Sequence, residues 1–336
     1  MKYLPILFVC LAAVACHEQS NSGGAAASTA DSVLYSDIIR PVTDSLQQFP
    51  NNHELYYRRA MLLFNTHPAL AEPDFEKGAS LMPANTDYWA GAGEAALVSE
   101  HFKKAEQMFA QALGTAPGNA YLRYRLATAM IENKEYATAD SVASVLAQTA
   151  DARDKAFYLK ARIAEDHKDT VTAIQHLTSA IHAAGATPEY EALMELGDLL
   201  HSRKAPQAIS YYVQAWQLDS TNAEPMFSIG VFQQELGNKP AAIAAFKKAV
   251  VADPGYEAAY LAMGHLYLDD QNWKEALTWY NLAAKSAPTD AWAYYYRALC
   301  HEKSGNKISA VEDYSKASSF KKDFTEAKEA LKRLNK

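Results

Sequence analysis

Three cysteines, ten histidines and a scatter of lysines, arginines and aromatic residues are the groups through which this sequence could do chemistry. Metal binding or hydrolysis needs ligands that converge, and the spacings do not provide them. There is no His-Glu-x-x-His, no Cys-x-x-Cys, no Gly-x-Ser-x-Gly and no glycine-rich phosphate loop ahead of a helix. Gly23-Gly24 lacks the further glycines of such a loop. His176 and His182 miss the i,i+4 spacing that puts two ligands on one helical face, so they read as solvated surface histidines. Cys300 has two readings, a buried small hydrophobe or a reactive thiol open to intermolecular pairing. No catalytic residue, metal site or cofactor is expected. What remains is recognition chemistry. Tyr121, Tyr124, Arg125, Lys155, Tyr158 and Arg162 combine cations with rings, and could hold an acidic peptide by charge-assisted hydrogen bonds and ring contacts. Trp292, Tyr295 and Tyr296 form a second aromatic group.

Those side chains need a scaffold, and the sequence repeats one at intervals of 34 residues. In residues 257–290, Tyr260, Met263, Gly264 and Tyr267 share a face of a first helix. Ala276, Tyr280 and Ala283 share a face of a second, and Pro288 closes the unit. One interval earlier stand Met226, Ile229, Gly230, Ala242, Phe246, Ala249 and Pro254. One interval later stand Tyr294, Ala298, Ala310, Tyr314 and Ala317, with Lys322 in the place of the proline. Trp89, Gly93, Phe102, Ala105, Phe109, Ala112 and Pro117 make another clear copy. With weaker copies in phase, the units are 52–85, 86–119, 120–153, 154–188, 189–222, 223–256, 257–290 and 291–324. Ala60 to Ala71 and Gly197 to Ala208 are one residue closer than the matching pairs elsewhere, so the first and fifth units should be locally irregular.

This spacing resembles the signature of the tetratricopeptide repeat, aromatic-x2-Leu-Gly-x2-Tyr, then Ala-x3-aromatic, then Pro. The resemblance covers residues 52–324 and implies an all-α fold, a right-handed superhelical solenoid of helix-turn-helix repeats. Small residues where helix A crosses helix B should let the backbones approach, with aromatic residues filling the space between neighbouring repeats. Leu34, Ile38, Val42 and Leu46 recur every fourth residue and predict a capping helix within residues 31–51; residues 325–336 suit a C-terminal capping helix. In proteins of this family the helix A faces line a concave groove. That implies a protein-binding groove at Tyr121, Tyr124, Arg125, Lys155, Tyr158 and Arg162, extended by Trp292, Tyr295 and Tyr296. Two alternatives stand beside it: a solvated groove whose cations pair with Glu165 or Asp166, and burial of the last aromatic group under the C-terminal cap. The lysine and asparagine set of the carboxylate clamp in chaperone-binding relatives is missing.

At the other end, residues 1–15 carry one basic residue, Lys2, then an apolar run from Leu4 to Val14 that is too short for a permanent membrane span. Ala13-Val14-Ala15-Cys16 resembles a bacterial lipobox, with Ala13 where the family most often has leucine. The resemblance implies cleavage before Cys16 and acylation of its thiol, which anchors the chain to a membrane. Cleavage without lipid and retention as an uncleaved anchor are the rivals. By the sorting rule of the enterobacterial lipoproteins that this segment resembles, His17 in place of aspartate implies the outer membrane. Residues 16–30 are small and polar and read as a flexible tether. Removing the signal takes away Cys10 and acylation would occupy Cys16, so Cys300 is left without a partner for an internal disulfide. It also removes one of the 32 basic residues and moves the net charge from −7 to −8, which argues against nucleic acid as a partner.

The leading expectation is a lipid-anchored scaffold of the cell envelope that binds peptide segments of other envelope proteins, and not an enzyme. A small-ligand or glycan receptor lipoprotein is the alternative, although such relatives carry long non-repeat loops that this chain lacks.

Overall fold

The computed structural model describes residues 30–335, and its regular elements there are all helical. The signal segment 1–15, Cys16 and tether residues 17–29 lie outside the described residues. The chain divides into two compact units between Glu135 and Tyr136.

Unit one holds α1 (Arg40–Gln48), α2 (His53–Phe64), α3 (Pro68–Leu81), α4 (Thr86–Val98), α5 (Phe102–Thr115) and α6 (Ala120–Glu132). Unit two holds α7 (Tyr136–Leu146), α8 (Arg153–Asp166), α9 (Thr170–Ala184), α10 (Tyr190–Ser202), α11 (Ala208–Leu218), α12 (Glu224–Glu235) and α13 (Lys239–Ala252). It continues with α14 (Glu257–Asp269), α15 (Trp273–Ser286), α16 (Ala291–Lys303), α17 (Lys307–Phe320) and α18 (Thr325–Leu334). Within each unit every helix packs on its successor. Even-numbered helices from α2 to α16 occupy the helix A position, odd-numbered ones from α3 to α17 the helix B position.

Local chemistry starts and stops these helices. Asn52, Asn85, Asn119 and Asp290 cap helix A elements by accepting backbone N–H bonds, and Asp169, Asn238, Asn272 and Asn306 do so for helix B elements. Pro83, Pro117, Pro254 and Pro288 each follow a helix B terminus by two residues, where a ring without an N–H cannot continue the helix. The chain reverses between helices on a residue with positive φ: Glu100, Lys134, Lys168, Lys204, Gly237, Gln271 and Gly305, at 54° to 80°. The first hairpin has no such residue, so its missing residue falls in the turn itself. In the fifth hairpin Lys204 keeps the turn and the loss falls later. There α11 begins at Ala208 without its first turn, and Ala208, Ile209 and Ser210 donate instead to carbonyls three residues back.

Glycine and alanine on helix A do something more specific than bring backbones together. A Cβ on Gly93 would lie 2.8 Å from the Phe109 ring, on Gly197 2.5 Å from Tyr212, on Gly230 2.4 Å from Phe246 and on Gly264 2.5 Å from Tyr280. Each glycine makes room for the fully buried ring of its own hairpin's helix B, while a Cβ on Gly91 would lie 2.6 Å from the Phe75 ring of the preceding hairpin, so a ring also fills the space between repeats. Where helix B carries Leu177 instead, helix A carries Ala161, and both are fully buried.

The ends also differ from expectation. Residues 30–34 are helical, residues 35–39 turn, and α1 starts afresh with Pro41 in its first turn. The stripe Leu34-Ile38-Val42-Leu46 is therefore broken: Ile38 is exposed and Ile39 is buried beside Val42 and Leu46. Proline has no N–H to bond the carbonyl four residues back, so Pro41 is at home in a first turn and starts a helix there instead of continuing one. At the C-terminus, α18 buries Ala327 and Ala330 against Phe324, Tyr314 and α16.

Candidate functional site

In unit one the expected groove residues converge on a carboxylate that the sequence reading did not name. Glu94 of α4 accepts the Tyr121 hydroxyl at 2.7 Å and the Arg125 Nε at 2.6 Å, and a second Arg125 nitrogen bonds its other oxygen. Burial works against the charge on Arg125, but its bonds to Glu94 outweigh that and leave its pKa raised. Burial and the bond to Glu94 push the Tyr121 hydroxyl up to about 12. Arg125 also lies 5.9 Å from the Phe109 ring centroid. Tyr121 keeps 53% of its surface exposed, whereas Tyr124 and Arg125 are half-buried. The guanidinium here is already paired with Glu94, and the exposed contact it leaves is an aromatic ring.

In unit two, Lys155, Tyr158 and Arg162 lie half-buried on α8. The Tyr158 hydroxyl donates to Glu195 Oε1 of α10 at 2.7 Å. Beside it is a cleft of about 430 Å³ lined by Glu165, Lys168, Thr170, Glu195, Asp198 and Leu199. Burial, then repulsion from Glu195, pushes Glu165 up to about 7, with Arg162 opposing. Burial likewise raises Glu195 and Asp198, against bonds from Tyr158 and Tyr212. Beside the cationic positions Lys155 and Arg162, three of the six residues lining this cleft are carboxylates. Glu94, Glu195 and Asp198 each sit within two residues of the small crossing residue, Gly93 or Gly197. That adjacency was the available signal.

The last group is divided by depth. Trp292 stays on the rim at 36% exposure, its ring 4.5 Å from Phe324, with Lys321 Nζ 5.0 Å above it. Tyr295 and Tyr296 are half-buried, Tyr295 against Phe324 and Tyr314, Tyr296 against His265 and Tyr280. His176 is not solvated as expected: it stacks on Phe157, and burial together with nearby Lys160 lowers its pKa. Cys300 is buried, which pushes its thiol up to about 12 and leaves it protonated and inert. Among the described residues no group of three or more His, Cys, Asp or Glu could hold a metal ion, and no helix is long and apolar enough to cross a membrane.

Residues 96–163 and 235–300 match the tetratricopeptide repeat family. Both segments are tetratricopeptide repeats. The chain's helices form the all-α solenoid of that family, whose repeats serve as protein-interaction scaffolds. Among solved structures, the C-terminal part of a TPR repeat-containing protein from Cytophaga hutchinsonii aligns with a TM-score of 0.58, at 16% identity, over 74% of this chain and 99% of that one. The MamA protein aligns with a TM-score of 0.44, at 23% identity, over 52% of this chain and 94% of that one. A comparison with curated proteins gave no match.

Proposed function

We propose that this chain is a membrane-anchored scaffold of the bacterial envelope, held by an acylated Cys16, that binds peptide segments of other envelope proteins along its helix A faces. The observation that carries the reading is the side-chain ladder on these faces. Tyr121 and Arg125 reach Glu94, and Tyr158 reaches Glu195, each from one helix A to a neighbouring helix A. The ladder fixes aromatic rings and half-buried polar groups in place before a partner arrives, which lowers the ordering cost of binding. The outer membrane is the proposed location, from the residues that follow the export segment.

The test uses the full-length chain expressed in envelope-bearing cells, with partner capture compared between wild type and Tyr121→Ala combined with Lys155→Ala. Capture is expected to fall while the denaturation midpoint holds. Undiminished capture would remove these faces as the binding surface. For the anchor, Cys16→Ser should abolish incorporation of a clickable fatty acid, and label persisting on that variant would contradict acylation at Cys16.

A further inference from the structure

We propose that unit two carries a second recognition surface, formed by helix B elements, that takes an acidic polypeptide segment bearing an aliphatic side chain. Between α11 and α13 lies a cleft of about 520 Å³ lined by Trp216, Thr221, Lys247, Lys248 and Val251 among others. Lys248 Nζ stands 5.7 Å from the Trp216 ring centroid, and Lys247 Nζ stands 5.7 Å from that of Trp279 on α15. Lys103, Lys104, Lys160 and Lys239 are each paired with a carboxylate. Lys247 and Lys248, both exposed, have no such partner among the described residues. They place two adjacent ammonium groups, each over an indole ring, at the cleft.

A ring beneath each ammonium holds it in place and shields one side from water, so an incoming carboxylate meets a cation that is already oriented. Val251, at 81% exposure, and the edge of Trp216 supply apolar surface for an aliphatic side chain next to that carboxylate. Charge complementarity selects an acidic occupant. The concave shape favours an inserted polypeptide side chain over a flat lipid surface. Because these helices differ from those that bear Tyr121 and Tyr158, this surface stands or falls apart from the helix A reading.

The test titrates the full-length chain with a soluble glutamate–leucine peptide and follows tryptophan emission. Binding is expected, and Lys247→Glu with Lys248→Glu should weaken it at least about tenfold. Lys247→Gln with Lys248→Gln should give a smaller loss, and Tyr121→Ala with Lys155→Ala no change. A lysine–leucine peptide should not bind. No binding of the acidic peptide, or equal binding by the charge-reversed variant, would overturn the proposal. So would lysine-dependent binding to phosphatidylglycerol vesicles without binding of the peptide.

Discussion

Glu94 and Arg125 show how one pair sets what a surface can do. Both side chains are about one-fifth exposed, so neither ion is free to exchange its partner for water at low cost. Arg125→Gln should therefore destabilise the full-length chain by about 1.5–3 kcal/mol, the worth of hydrogen bonds to a charged group. Adding Glu94→Gln should recover most of that loss, because the buried carboxylate is then gone. A double variant no more stable than the single one in urea would show that the pair is not the cause. A second residue-scale consequence concerns pH. Burial and a bond to Asp290 push Glu257 up to about 8 from 4.5, so the folded chain keeps a proton that the unfolded chain releases in between. The stability this group permits is complete below about 4.5 and is lost as pH rises, with the loss levelling off above about 8. Glu257→Gln should match wild type in acid and withstand more denaturant above pH 8; an equal difference at both ends of the range would rule out this carboxyl as the source.

At the scale of the helix pair, the spacing of small residues carried most of the fold, and the reason is steric. Gly230 lies where a Cβ would come within 2.4 Å of Phe246, so Gly230→Ala should cost about 1–3 kcal/mol by overpacking. Phe246→Leu in the same chain should relieve part of that cost, and a strictly additive double variant would deny the contact. The turns make a complementary case. Lys134 holds φ at 62° without being glycine, so Lys134→Gly should leave stability unchanged or raise it by up to about 1 kcal/mol, as strain relief exceeds the added chain entropy. A clear loss in urea melts would contradict this. Periodicity could show these features because each is set within one hairpin. It could not show that Arg125 reaches Glu94, 31 positions away, because the rotation of one helix against another sets that contact. Nor could it show the restart at Pro41, since a four-residue stripe reads the same whether or not the backbone is continuous. The carboxylates of the α8–α10 cleft are hidden for a similar reason: the repeat period marks Tyr158 and Arg162 as groove positions but not Glu195, which faces them from the next helix A.

For the whole molecule, the first and last hairpins share a device. Arg59 grips Asp74 and Arg297 grips Asp313, each through two bonds of 2.6 to 2.7 Å, from the residue just before the crossing alanine to the residue just before the helix B ring. Asp74 and Asp313 are among the few buried charged groups. On its outer side each of these hairpins meets a single capping helix, α1 or α18, in place of another hairpin, and the bidentate pair fastens its two helices there. If partners lie along helix A, site-specific photo-cross-linking in cells will place them there. A photoreactive residue at Tyr121 or Tyr158 should capture peptides of another envelope protein, identified by mass spectrometry, whereas one at Val171, exposed on helix B, should not. Equal capture at Val171, or none at Tyr121 and Tyr158, would contradict the account.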